Sequence, residues 1–97
     1  MNQPPEKLDG AKVIEWAWSG SKPFGNVQDT SGKLAKEIFG LAICQYLNSE
    51  TVYVFSCDRN WEVVQDSDFS SVDEAKSYLP EQYRMVAVSW IPGITST

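Results

Sequence analysis

Two β-type runs, Tyr53-Val-Phe-Ser-Cys57 and Trp61-Glu-Val-Val-Gln65, stand on either side of the polar tripeptide Asp58-Arg59-Asn60. β-Branched and aromatic residues crowd both runs, and a short Asp/Asn connection between such runs signals an antiparallel hairpin. A chain that must close this hairpin is a sheet protein, so every other segment has to be placed around it.

Thr51 to Phe55 needs a second neighbour, and the polar turn Asn48-Ser49-Glu50 points back to Leu34–Leu47. There Phe39, Leu41, Ile43 and Leu47 fit one strand face, with Gly40, Ala42, Cys44 and Tyr46 behind. A helical face of Leu34, Ile38, Leu41, Ala42 and Gln45 fits only moderately, and the need for a pairing partner favours the strand. Lys12 to Ser19 alternates Ile14, Trp16 and Trp18 with Val13, Glu15 and Ala17, which predicts a strand with its aromatic face inward. Gly20 to Gly32 is rich in Gly, Ser, Asn and Asp and reads as a long irregular connection.

Beyond the hairpin, Asp66 to Ser70 reads as loop. Ser71 followed by Glu74 is a capping box, Asp73 and Glu74 suit the positive end of a helix dipole, and Leu79-Pro80 ends the helix. Its expected buried face is Val72, Ala75 and Leu79. Arg84 to Ile91 alternates Val86, Val88 and Trp90 against Met85, Ala87 and Ser89, a final strand before the tail from Pro92. Residues 1–10, with Pro4-Pro5 and ending in Asp9-Gly10, read as a flexible arm. The expected architecture is a single α+β domain over residues 1–97: a mostly antiparallel five-stranded sheet, in the order β-β-β-β-α-β, packed on one short helix.

The 97 residues suffice to bury roughly 60 to 68% of the unfolded surface without staples. Eight basic residues against thirteen acidic give a net charge of −5, which disfavours nucleic acid and anionic membranes in the absence of a basic patch. No apolar run approaches the length of a membrane span, the longest being Ile38 to Cys44, and the first residues lack the apolar core of a signal peptide. A cytoplasmic protein is expected. Cys44 and Cys57, the two cysteines, are then expected reduced. On hairpin strands they would share one face with a diagonal offset of about two residues, or about 7 to 8 Å, marginal for a disulfide.

The chain has no histidine, which removes His-based acid/base relays, Ser-His and Cys-His nucleophile pairs and His-containing zinc sites. Two cysteines thirteen residues apart are neither a zinc site nor a redox pair. Asp66, Asp68 and Ser70 begin like a calcium loop, but Ser71 and Ser77 stand where Gly and Glu are required. Gly25 and Ser31-Gly32-Lys33 fail the phosphate-loop spacing. Asp66, Asp68, Asp73 and Glu74 read as a solvated acidic helix entry, not a catalytic carboxylate pair. The expectation is therefore no catalytic residue, no metal, no cofactor and no enzyme.

One short helix covers one face of such a sheet, and the other face still carries aromatics. Trp16, Trp18, Tyr46, Tyr53, Phe55 and Trp90 are the candidate interaction residues, since a contiguous apolar patch marks an interaction site. They suit a homodimer seam or a protein partner, with acidic residues at the rim favouring a basic partner such as a cationic effector. The alternative is a small-molecule module with an aromatic-lined pocket, to which Gln45, Tyr46 and Tyr53 would contribute polar groups. Trp61-Glu-Val63-Val-Gln-Asp66 with Ser71-Val72-Asp-Glu74-Ala75-Lys76 resembles a strand-loop-helix unit of small uncharacterised bacterial α+β proteins, including mobile gene-cassette products and immunity-type proteins. That resemblance implies an accessory protein acting by binding, and no catalytic residue.

Overall fold

In the computed structural model, residues 3–28, 35–77 and 88–93 are described. The elements are β1 (Lys7–Leu8), β2 (Ala11–Trp18), β3 (Gly25–Gln28), β4 (Ala35–Ile38), β5 (Gly40–Gln45), β6 (Val52–Cys57), β7 (Val63–Phe69), α1 (Val72–Ser77) and β8 (Ile91–Pro92). One sheet runs β1-β2-β5-β6-β7, with β8 also on β2, while β3 and β4 form a separate hairpin. Every pairing among the described residues is antiparallel. With one short helix this is the expected α+β class, a curled antiparallel sheet with α1 on one side.

The predicted central hairpin forms, and its turn is tighter than composition suggests. Asp58 accepts the amides of Asn60 and Glu62 on its carboxylate, at 2.8 and 3.0 Å, and its own amide donates to the Glu62 carbonyl. Trp61 therefore sits at φ +61°, a left-handed conformation that is strained for a bulky residue. β7 continues to Phe69, so Asp66–Ser70 is mostly strand and not loop: Asp66 pairs with Phe55 and Asp68 with Tyr53.

Leu34–Leu47 is strand as expected over Ala35–Gln45, broken at Phe39, where the chain passes from the small hairpin into the main sheet. Phe39 keeps both neighbours, donating to the Cys57 carbonyl and accepting from the Ser19 amide, each at 2.9 Å. Leu34 lies outside the described residues. Leu47, expected on an inward face, is 91% exposed in the β5–β6 turn. The connection expected to be irregular contains β3, which pairs in register with β4 from Gly25↔Ile38 to Gln28↔Ala35.

The arm expected over residues 1–10 is corrected from Lys7 onward. Asp9 and Gly10 have φ of 49° and 83°, the two positive values that a two-residue hairpin requires, and they fold β1 onto β2 with Leu8 buried. Strand alternation in β2 is also corrected. The register slips by one residue between Val13 and Glu15, so Val13 and Trp16 face one side while Ile14, Glu15 and Ala17 face the other.

Of the expected last strand, 84–87 lie outside the described residues. Pairing occurs later, at Ile91–Pro92 against Trp16 and Glu15, and Gly93 donates to the Ile14 carbonyl at 2.7 Å. β1 and β8 thus divide the outer edge of β2 between them. The helix is capped at Ser71, whose Oγ accepts the Glu74 amide at 3.0 Å, but the Glu74 carboxylate reaches one residue further back, to the amide and hydroxyl of Ser70. Ala75 is buried and Val72 packs beside it, as expected; Leu79 lies outside the described residues.

Two apolar layers result. On the helix side, Leu41, Ile43, Val52 and Val54 meet Phe24, Ile38 and Ala75, flanked by Ile14, Val88 and Trp90. On the other side Leu8, Ala11, Val13, Trp16, Ala42, Cys44, Phe55, Cys57 and Trp61 cover one another. The curl of the sheet is what allows this, because each strand tilts its inward residues toward the next.

Candidate functional site

The aromatic side of the sheet is built on register rows. Val13, Cys44, Tyr53 and Asp68 stand in one row across β2, β5, β6 and β7, and Trp16, Ala42, Phe55 and Asp66 in the next. Tyr46 lies edge-on to Tyr53 with centroids 5.6 Å apart, and Tyr53 leans on Phe55 at 6.1 Å. A second file of rings comprises Trp16, Trp61, Trp18 and Phe39, at successive separations of 6.0, 5.6 and 5.9 Å. The Arg59 guanidinium closes this file 4.3 Å above Phe39, within cation–π range.

Trp61 reaches the rings because Gly40 leaves room. A Cβ at position 40 would stand 2.5 Å from the Trp61 ring, closer than any carbon contact allows. Trp61 Nε1 and Ser19 Oγ are buried without a hydrogen-bond partner among the described residues.

This geometry sorts the six candidate interaction residues. Trp16 and Phe55 are each 1% exposed and belong to the core, so they offer a partner no surface. Trp18 and Tyr53 are half-buried, and Tyr46 is 37% exposed, its hydroxyl donating to the Asp9 carbonyl at 3.0 Å. Trp90 is on the opposite side, packed against the helix-side layer with the Lys76 ammonium 5.8 Å from its ring. What remains accessible on the aromatic side is Trp18, Tyr46 and Tyr53, bordered by Asp66 and Asp68 on β7.

Sequence reading missed that border, because a loop at 66–70 hid the alternation that puts both carboxylates on the aromatic side. It also missed the clustering of Lys7 and Lys12, although Asp9-Gly10 is itself a hairpin signal that would have brought them together.

The two cysteines do share a face, offset further than expected. Cys44 pairs with Tyr53 and Cys57 with Gly40, a separation of four residues, or roughly 13 Å along the strands. Both are free and buried. Burial, with a smaller contribution from Asp9, pushes the Cys44 thiol up to about 12, and burial pushes Cys57 higher still, away from the thiolate that nucleophilic or metal chemistry requires. The Glu74 carboxyl is held below its ordinary value by the Ser70 amide and hydroxyl. Among the described residues no cluster of His, Cys, Asp or Glu could hold a metal ion, and no helix is long and apolar enough to cross a membrane. No protein-family model, curated protein or solved structure matches the chain.

Proposed function

We propose that this is a non-catalytic interaction protein that takes an extended, cationic segment of a partner along the outer edge of β7. The observation that carries the reading is the edge itself. β7 is seven residues long, it is the last strand of its sheet, and its outer side is paired with nothing among the described residues. An unpaired strand edge is a row of free donors and acceptors for another chain. Asp66 and Asp68 stand on its aromatic side, beside Phe55 and Tyr53, and supply charge and ring contact together.

The charge pattern selects the occupant. Antiparallel addition of a second copy around Asp66–Asp68 would bring carboxylates of the two chains into opposition, which is destabilising; a Lys- or Arg-bearing strand reverses the sign. Binding at an edge with half-buried tyrosines needs no catalytic group. The two free, buried thiols fit a reducing, cytoplasmic setting, and an accessory protein of this kind suits the immunity-type resemblance of residues 61–76.

The test is titration of a ten-residue peptide alternating Lys and Val, followed by amide spectra of the labelled protein. Saturable shifts along β7 and Tyr53, weakened about tenfold or more in Asp66→Asn/Asp68→Asn and by salt, are expected. Shifts scattered over the surface, or a concentration-independent dimer in light scattering, would reject it.

A further inference from the structure

On the helix side of the sheet, where the β1–β2 hairpin meets the β5–β6 turn, lies a groove of about 340 Å³ whose described lining includes Lys7, Lys12, Ile14, Gln45, Tyr46 and Leu47. Three observations point to what it holds. Lys7 and Lys12 are direct cross-strand partners in the β1–β2 register, so two ammonium groups oppose each other where an antiparallel pair prefers opposite signs. Neither has an ion-pair partner among the described residues, and none of the groove's described lining residues is acidic, on a chain of net charge −5. Asp9, in the turn between them, acts on the Cys44 thiol on the far side of the sheet.

The third observation is an apolar wall held in place. Leu47 is 91% exposed, yet the turn that carries it is tied at both ends: Gln45 Nε2 donates to the Ser49 carbonyl at 2.7 Å, and the Tyr46 hydroxyl donates to the Asp9 carbonyl. Ile14, displaced by the β2 register slip, is half-buried at the base. The groove is thus preformed, apolar on one wall and positive on the other.

We propose that this groove binds a small amphiphilic carboxylate, its chain against Leu47 and Ile14 and its carboxylate bridging the ammonium groups of Lys7 and Lys12. Such a ligand removes the like-charge opposition and covers the exposed leucine in one step. Size narrows the class. A cavity of about 150 Å³ accepts the six carbons of benzene, so this volume corresponds to about a dozen non-hydrogen atoms, an acid of about eight to ten carbons. The site is separate from the β7 edge, and either proposal can fail without the other.

The experiment is a methyl-resolved titration of the intact chain with decanoate, with decanol and acetate as the chain-only and charge-only controls. Saturable one-to-one shifts of the Leu47 and Ile14 methyls are expected with decanoate, with decanol and acetate each about tenfold weaker or more. Lys12→Gln should weaken decanoate about tenfold. Lys12→Glu should abolish binding while raising the melting temperature of the free protein, because it converts the opposed charges into a pair. Equal affinity for decanol, unchanged affinity in Lys7→Gln/Lys12→Gln, or shifts confined to the aromatic side would overturn the proposal. So would a Lys12→Glu variant no more stable than the parent.

Discussion

Trp61 and Gly40 form a pair whose energetic coupling can be worked from the geometry. Gly40→Ala places a methyl 2.5 Å from the Trp61 ring, which is itself wedged against Trp16 and Trp18, so the ring cannot yield freely. Overpacking of this kind costs about 1 to 3 kcal/mol. Trp61→Ala removes a side chain that is 7% exposed and should cost about 3 to 5 kcal/mol. Independent effects would sum to about 4 to 8 kcal/mol, enough to unfold many domains of this size. In the Trp61→Ala background, however, the space above residue 40 is vacant. The same Gly40→Ala change should then cost nothing or stabilise by up to about 1 kcal/mol, since alanine loses less backbone entropy in a strand than glycine. A coupling of roughly 1 to 4 kcal/mol is expected from urea melts of the four species, followed by far-ultraviolet dichroism and Trp16 fluorescence. Additivity within about 0.5 kcal/mol would refute the contact. Trp61→Gly supplies an internal check: at φ +61° it should be about 1 kcal/mol more stable than Trp61→Ala, and the reverse order would mean the turn does not hold the left-handed conformation.

Three further outcomes are expected. Lys76 Nζ lies 2.9 Å from Glu15 Oε1 and ties α1 to β2; both side chains are partly exposed, so Glu15→Gln should cost only about 0.5 to 1 kcal/mol, shrinking in high salt, and a loss above about 2 kcal/mol would assign the contact another role. Neither thiol should react with a neutral-pH disulfide reagent until urea unfolds the chain, since the Cys44 value of about 12 leaves almost no thiolate; labelling as fast as that of a free thiol in the native state would contradict the burial. Glu74 has a lowered folded-state value, so its contribution to stability is present above the ordinary carboxyl range and is lost as pH falls through the lowered value. Glu74→Gln should therefore lower the urea midpoint at pH 7 and leave it unchanged in strong acid, and an equal deficit in both buffers would count against the Ser70 hydrogen bonds.

Much of the sheet was legible in local patterns. The β6–β7 hairpin, the pairing of β5 with β6 and the Ser71 cap rest on residues adjacent in sequence, where alternation and turn chemistry act directly. Readings failed where a tertiary demand outweighed the local signal. The slip at Ile14 leaves no trace in composition, yet it reverses the faces of Glu15, Trp16 and Ala17. The acidic stretch Asp66–Phe69 lacks strand propensity and is strand because β6 offers it a ladder. The same override explains the candidate site. Trp16 and Phe55 read as surface aromatics while the sheet was taken as flat, and a curl that lets one face bury itself became visible only with the strands assembled. Tyr46 and Tyr53 stayed accessible because they stand at the end of β5 and the start of β6, where the curl opens.

The slip in β2 also limits how this strand can change. Substitutions within it act one side chain at a time, but loss of the single extra residue between Val13 and Glu15 would restore an even ladder and move every later residue to the opposite face. Glu15 would then enter the layer that holds Trp16, and Trp16 would turn toward the helix. The strand therefore tolerates variation in identity at many positions and almost none in length, so that single-residue deletions there should be far more damaging than the substitutions they resemble.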